Sequence, residues 1–301
     1  MKKTYWSKYN NELIRRGKVT FWFDKEISKT WYSKQMPGGR YTDLYSDEAI
    51  TALITFKYFY SLTFRETKGL AESLVELMNM EVEIPCYTTL SRRQKRLSLK
   101  IIKTLESNES VHIVVDSTGL KVYGEGEWKV RKHGVGKRRT WTKLHLAVDE
   151  SNNQILAVDV TGNDTGDCES FDKLIDELPD ENIYQVSADG AYDTKDCYKK
   201  VDGVGARGVF PPRKGAKIEQ HGNSKKPSIQ RDEHIRNIRK NGRSRWKKEE
   251  KYHQRSISET AMYRFKVKFT EKVASRDFKA QINECLIKCN ILNKMPTPKS
   301  I

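Results

Sequence analysis

No run of about 18 apolar residues occurs anywhere in the 301-residue chain, so no membrane-spanning helix is expected. Cysteine is scarce: Cys86, Cys168, Cys197, Cys285 and Cys289 are odd in number and scattered. Cys285 and Cys289 sit four apart, with no second Cys/His pair near them in sequence. That excludes a disulfide framework, argues against a zinc site, and fits reduced thiols in a cytoplasmic protein. The six histidines, His112, His133, His145, His221, His234 and His253, show no ligand-like spacing. The opening MKKTYWSKYNNELIRRGK has no apolar core after its lysines, so no secretory leader is expected. Negative charge is also short. Forty Asp and Glu face 56 Lys and Arg, a formal charge of +16. That imbalance calls for an anionic partner. Nucleic acid is preferred over an acidic membrane surface, because neither an amphipathic anchor nor a lipidation signal is visible.

Residues 1–108 read as helical. Apolar residues recur at helical spacing over Asp47–Leu62, which Ser46 can cap, and Thr63 can cap a second helix, Phe64–Met78. After a break at Glu83-Ile84-Pro85, Tyr87–Leu97 reads as a short helix rich in hydroxyls and cations. Helix, turn and basic helix is the pattern of a helix-turn-helix reader, with Thr88, Thr89, Ser91, Arg92 and Arg93 as candidate DNA contacts. An ordinary basic surface helix fits the same residues.

From about residue 109 the pattern changes. A β-branched run, Val111–Val115, ends at Asp116. Strands are predicted at Lys143–Val148 and Gln154–Val160, separated by the turn residues Asp149–Asn153. A helix over Asp167–Leu178, a strand over Ile183–Ala188 ending at Asp189, a short helix over Thr194–Val201 and a strand over Arg207–Phe210 follow. The last long helical stretch runs from about Lys248 to Glu271. The order β-β-β-α-β-α-β-α predicts an α/β domain over 109–301: a ribonuclease-H-like mixed sheet with flanking helices, preceded by the all-α domain. In that fold the first and fourth strands are neighbours, which brings Asp116 and Asp189 together. The segment 211–255 carries 15 Lys or Arg against 5 Asp or Glu. It reads either as a solvated, mobile insertion (about 211–247) or as a basic arm along a phosphate backbone.

On the last helix, Tyr252, Arg255, Glu259 and Lys266 share a stripe about 60° wide at about 3.6 residues per turn. Ile257, Ala261 and Phe265 form the opposite, apolar face. A plain i, i+4 ion pair would explain Arg255 and Glu259 but not the other two. Three converging carboxylates without His or Cys suit hard, oxygen-preferring cations, Mg²⁺ or Mn²⁺. Two such ions support phosphodiester displacement.

The string Tyr252-x₂-Arg255-x₃-Glu259-x₆-Lys266 resembles the Tyr-Arg-Glu-Lys (YREK) signature of DDE transposases from bacterial insertion sequences. Val115–Lys121 and Ser187–Asp193 resemble the blocks that hold that family's two aspartates. Thr20–Phe23, Tyr87–Arg93, Gly124–Gly134, Lys143–Asp149 and Pro211–Gly215 resemble the family-five branch. The resemblance implies a Mg²⁺-dependent transposase that cuts at terminal inverted repeats and joins the ends to target DNA. Asp116, Asp189 and Glu259 would be its catalytic metal ligands, with two ions. Tyr252, Arg255 and Lys266 would contact DNA phosphates. The partners would be double-stranded DNA and at least one further copy of the chain, in a cytoplasmic, nucleoid-associated protein. Only 70 residues separate Asp189 from Glu259, too few for the large insertion domain with a base-flipping Trp found in some relatives. Trp246 is a candidate substitute wedge, or simply a packed aromatic. A same-fold nuclease that cuts without joining, and a non-catalytic DNA-binding regulator, are the rival functions.

Overall fold

The computed structural model describes residues 2–33, 44–103, 110–122, 141–162, 164–178, 182–220 and 228–295. The Gly124–Gly134 block lies outside them. The chain forms two compact units: residues 1–100 with 122–125 and 268–301, and residues 101–121 with 126–267.

The first unit is helical. Its elements are α1 (Lys2–Gly17), α2 (Val19–Trp22), α3 (Asp47–Phe59), α4 (Phe64–Leu77), α5 (Tyr87–Gln94) and the last helix of the chain, Phe278–Lys294. The expected caps are in place. The Ser46 hydroxyl accepts from the Ala49 N–H at 3.0 Å, and Thr63 and Glu66 form a reciprocal capping box. Helix α3 buries Ile50, Leu53, Ile54 and Phe56, so it is the centre of this unit. The Thr20–Phe23 stretch supplies aromatic packing for it. Phe23 lies 5.2 Å from Phe56, and Trp22 lies 4.1 Å from Phe59, between ring centroids. The final helix, absent from the sequence reading, belongs to this unit. Its Glu284 and Lys288 are buried, and Asn283 donates to the Gln94 and Leu97 carbonyls at the end of α5.

The second unit is a mixed α/β layer structure. Its strands are β1 (Val111–Val122), β2 (Trp141–Asp149), β3 (Ile155–Thr161), β4 (Ile183–Ser187) and β5 (Arg207–Val209), in spatial order β3-β2-β1-β4-β5. β1, β2 and β3 pair antiparallel, whereas β4 and β5 run parallel to β1 and to each other. Helix α6 (Asp167–Asp176) and helix α7 (Lys195–Gly203) connect the later strands. Strand alternation fixes the faces. Val111, Ile113 and Val115 join Phe171, Leu174 and Ile175 of α6 in one core. The even-numbered positions of β1, from His112 to Asp116, therefore face the other way.

Three features differ from the sequence reading. β1 does not stop at Asp116 but continues to Val122, because antiparallel pairing with β2 extends to Lys121↔Trp141. Asp116 stands where the parallel neighbour β4 has ended. Segment 211–247 is not a broken loop throughout. It holds α8 (Gln230–Asn241), which packs on the edge strand β5, and starts α9 (Arg243–Glu249), which packs on α8. There the Gln230 carboxamide accepts from the Gly208 N–H at 2.7 Å, and His234 Nε2 donates to the Gly208 carbonyl at 2.8 Å. Both exposed edge groups are thus satisfied. Trp246 is fully buried and donates from Nε1 to His234 Nδ1 at 2.9 Å, so the packed-aromatic reading holds. Finally, the helix expected over 248–271 is broken. Lys251 has φ 52°, residues Tyr252–Arg255 form a 3₁₀ turn, and α10 covers Ser256–Phe269. Bonds to the sheet override helix propagation at this point. Gln185 donates to the Glu250 carbonyl at 3.1 Å, and Arg207 grips the Glu250 carboxylate at 2.6 and 2.8 Å.

Candidate active site

Val114 pairs with Ser187 across the parallel β1–β4 ladder. Asp116 and Asp189 each lie two residues further on, past the end of that ladder, with Asp116 on the face of β1 opposite the one that α6 covers. Parallel pairing thus brings together two carboxylates 73 positions apart in sequence. Their proximity is felt: the charge of Asp189 helps to raise the Asp116 pKa. Burial is the larger cause of that rise. It is opposed by the Ser117 N–H (2.9 Å), by Arg255 and by the Ser258 hydroxyl (3.1 Å). Asp189 caps the short 3₁₀ turn Gly190–Tyr192, accepting from the Ala191 N–H at 2.8 Å.

Helix α10 and the turn before it bring the third acid. Arg255 Nη1 lies 3.4 Å from Asp116 Oδ2, and its Nη2 donates to Glu259 Oε1. The guanidinium therefore stands between the first aspartate and the glutamate. Arg255 and Asp116 are largely buried, with side chains 22% and 17% exposed, whereas that of Glu259 is 59% exposed. Tyr252 packs against Trp246 at 5.7 Å and beneath Lys247 and Arg255. Burial raises its pKa, Arg255 opposes the rise, and Asp189, Asp116 and Glu259 all add to it. The phenol is thus a neutral donor within the field of all three carboxylates. Lys266 lies two turns beyond Glu259 on α10 and is half-buried. Tyr252 and Arg255 belong to the 3₁₀ turn and not to the helix, so the helical-wheel stripe describes only Glu259 and Lys266. The break still directs Arg255 toward Glu259.

The candidate donor set consists of carboxylate oxygens. It fits a hard divalent cation by type, and Asp116, raised by burial and by Asp189, would gain from a neighbouring positive charge. Among the described residues, no three acidic, His or Cys side chains are gathered closely enough to enclose an ion.

Sequence reasoning missed the parts played by Ser258, Asp193, Arg213 and Arg231. Ser258 is fully buried, and its hydroxyl reaches Asp116. Thr194, not Asp193, caps α7. The Asp193 carboxylate is buried against Arg231, at 2.7 and 3.2 Å, and accepts the Arg213 N–H at 2.9 Å. The Arg213 side chain reaches back to the Gly190 and Ala191 carbonyls at 3.4 Å. The turn that Asp189 caps is therefore clamped onto the Pro211–Arg213 loop.

The candidate DNA contacts of the helical unit divide. Thr88 and Arg92 are exposed, and Thr89 and Ser91 are half-buried. Arg93 is not available on that surface: its guanidinium is buried, donating to the Tyr45 carbonyl at 2.8 Å and to Asp47 at 2.6 Å. A cation followed by polar residues reads as surface in sequence, and only the packing of α5 on α3 shows otherwise.

Two family models, each described as a transposase DDE domain, match residues 14–125 and 107–294. The chain belongs to the transposase DDE-domain family. A DDE transposase is thus the enzyme class that the match supports. Among solved structures, the Drosophila P element transposase strand transfer complex is similar at 11% identity with a TM-score of 0.31. The match covers 61% of this chain and 42% of that one, so this chain spans less than half the length of that relative. The Mos1 mariner paired end complex with Mn is similar at 10% identity and a TM-score of 0.22, over 83% of this chain and 86% of that one. No helix among the described residues is long and apolar enough to cross a membrane.

Proposed function

We propose that this transposase-family chain moves an insertion sequence, cutting DNA at the element's terminal inverted repeats and joining the freed ends to target DNA. The observation that carries this reading is the placement of Asp116 on β1 beside Asp189, two residues past the end of the parallel neighbour β4, with Arg255 joining Asp116 to Glu259. In this reading the sheet, three antiparallel strands followed by two parallel ones, is ribonuclease-H-like. Tyr252, Arg255, Glu259 and Lys266 are the signature of the family-five branch.

Asp116, Asp189 and Glu259 would hold Mg²⁺ or Mn²⁺, with two ions in the cutting state. When bound, such ions lower the proton affinity of the attacking oxygen and offset charge on the leaving one. The chain's own groups do the rest. Arg255, now occupied by two carboxylates, turns its donors to a DNA phosphate once other cations satisfy Asp116 and Glu259. The Tyr252 phenol stays protonated and donates to a phosphate oxygen. Lys266 adds positive charge along the same helix. Ser258 holds the orientation of Asp116, and the Asp193–Arg231 clamp holds the turn that carries Asp189.

The helical unit would read the repeats through α5, presenting Thr88 and Arg92 with Thr89 and Ser91 beside them, in helix-turn-helix fashion. Helices α8 and α9 would follow the backbone. Two element ends must meet, so the working form is a dimer or larger on DNA, in the nucleoid. Strand transfer with pre-cut ends tests the reading against a nuclease of the same fold: joined product supports it, and cutting without joining refutes it.

A further inference from the structure

The helical unit contains a second charged recess, built from residues that the carboxylate site does not use. A cavity of about 230 Å³ lies between the end of α3 and the segment leading into the last helix. Lys57, Tyr58, Thr270, Lys272, Glu284 and Lys288 line it. It holds three ammonium groups against one carboxylate.

That carboxylate is already committed. Glu284 accepts from the Ala274 and Ser275 N–H groups at 3.0 and 2.9 Å, from the Tyr58 hydroxyl at 3.2 Å and from Lys288 at 2.6 Å. Lys288 spends a further donor on the Lys272 carbonyl at 3.2 Å. Lys57 is different. It is only 9% exposed, and its ammonium lies 4.1 Å from the Tyr58 ring centroid and 4.9 Å from that of Phe64. Neither a hydrogen bond nor an ion pair joins it to any described residue. The rings attract its charge but offer no lone pairs in their plane of contact to its three N–H donors. Burial pulls its pKa down; the Glu284 charge opposes this and the Lys288 charge adds to it. A buried ammonium without an acceptor is costly, and an anion in the cavity removes that cost. Lys272 is exposed at the same wall, where the Thr270 hydroxyl accepts from its N–H at 3.3 Å.

We propose that this recess binds a phosphate group, with Lys57 and Lys272 as its charged donors, Lys288 adding positive charge and Thr270 at the rim. The excess of two positive charges matches a phosphate dianion. The volume equals that of several waters at about 30 Å³ each, enough for the ion and part of an ester-linked group. A free phosphate and a nucleic-acid backbone share this chemistry. The proposal does not depend on the reading of the carboxylate site.

The test is calorimetric titration of the full chain with sodium phosphate, at an ionic strength fixed with chloride, alongside the melting temperature. Wild type should bind saturably, with a melting temperature that rises as the site fills. Lys57→Met should lose at least tenfold in affinity, and Lys272→Ala several-fold. No saturable binding by wild type, or unchanged affinity in Lys57→Met, overturns the proposal. If Lys57→Met does not fold, Lys272→Ala decides, and unchanged affinity there overturns it equally. A duplex-competition arm identifies the source. Phosphate that displaces duplex DNA from wild type more than from Lys272→Ala assigns the recess to a backbone phosphate. Saturable binding without such displacement assigns it to free phosphate.

Discussion

The guanidinium of Arg255 lies 3.4 Å from the Asp116 carboxylate, although 139 residues separate them in sequence. That contact ties the turn before α10 to the centre of the sheet, and Arg255 also holds Glu259. The arrangement lets Arg255 offset carboxylate charge in the DNA-free protein, and under the proposed function it would serve as a phosphate ligand in the complex.

Arg255→Ala should therefore weaken binding to an element end by about tenfold or more, the worth of one charge-assisted hydrogen bond at 1.4 kcal/mol per decade. Cleavage should fall with it. Gel-shift titration of the terminal repeat measures the first effect. Unchanged end-complex formation would remove Arg255 from the phosphate-binding set.

Asp193 and Arg231 should behave as one unit. Asp193→Asn removes the closest carboxylate from Arg231, whose side chain is 14% exposed, and leaves it Glu219 at 3.7 Å and the Lys217 carbonyl at 3.3 Å, at a cost of about 2 kcal/mol. The doubly neutral Asp193→Asn/Arg231→Gln pair should recover part of this. A double-mutant cycle on urea unfolding reads the coupling. Additive effects would show that the clamp contributes nothing as a pair.

Trp246→Ala should destabilise the second unit by about 3–5 kcal/mol, because it removes a fully buried indole and the partner of His234 Nδ1. Amide exchange in Gln230–Glu249 should rise together with that of β5. A solvated arm would instead show fast exchange there in wild type and little response to the substitution.

Acid should destabilise the protein through His112. The unfolded residue takes its proton near pH 6.5, whereas burial holds the folded one at about 4. Between these values the unfolded chain binds more protons. This contribution is fully present above pH 6.5 and is lost as pH falls toward 4, by roughly 3 kcal/mol at most. Melting temperatures from pH 7.5 to 4.5 should fall less steeply in His112→Gln. An identical slope would place the acid sensitivity elsewhere, His145 and His234 being shifted in the same direction.

Much of this was legible in the sequence because it is local. Ser46 and Thr63 cap the helices they precede, Phe171, Leu174 and Ile175 show the period of α6, and runs rich in β-branched and aliphatic residues mark β1 to β3. The expectation that Asp116 and Asp189 meet came from matching the order of elements to a fold in which the first and fourth strands are neighbours, and β1 and β4 do pair. What stayed hidden depends on tertiary bonds. The helix break at Lys251 is imposed by Gln185 and Arg207, which have no local signature. Segment 211–247 looked like a loop because its apolar residues are few. Its order comes from His234 and Trp246 inside, and from arginines that bond carbonyls of the same segment: Arg236 to Gln220, Arg239 to Ala216 and Arg243 to Pro212. Part of the basic count therefore serves folding. The last helix was missed for a similar reason, since its buried face includes Asn283, Glu284 and Lys288, which read as surface.

The central claim is that Asp116, Asp189 and Glu259 work as one cation-dependent site on DNA. Its most direct measurement is Mg²⁺-dependent cleavage of a duplex carrying the element's own terminal repeat by Glu259→Gln, with end binding followed in parallel. Cleavage should fall at least a hundredfold with end binding retained. Cleavage at the wild-type rate would contradict it.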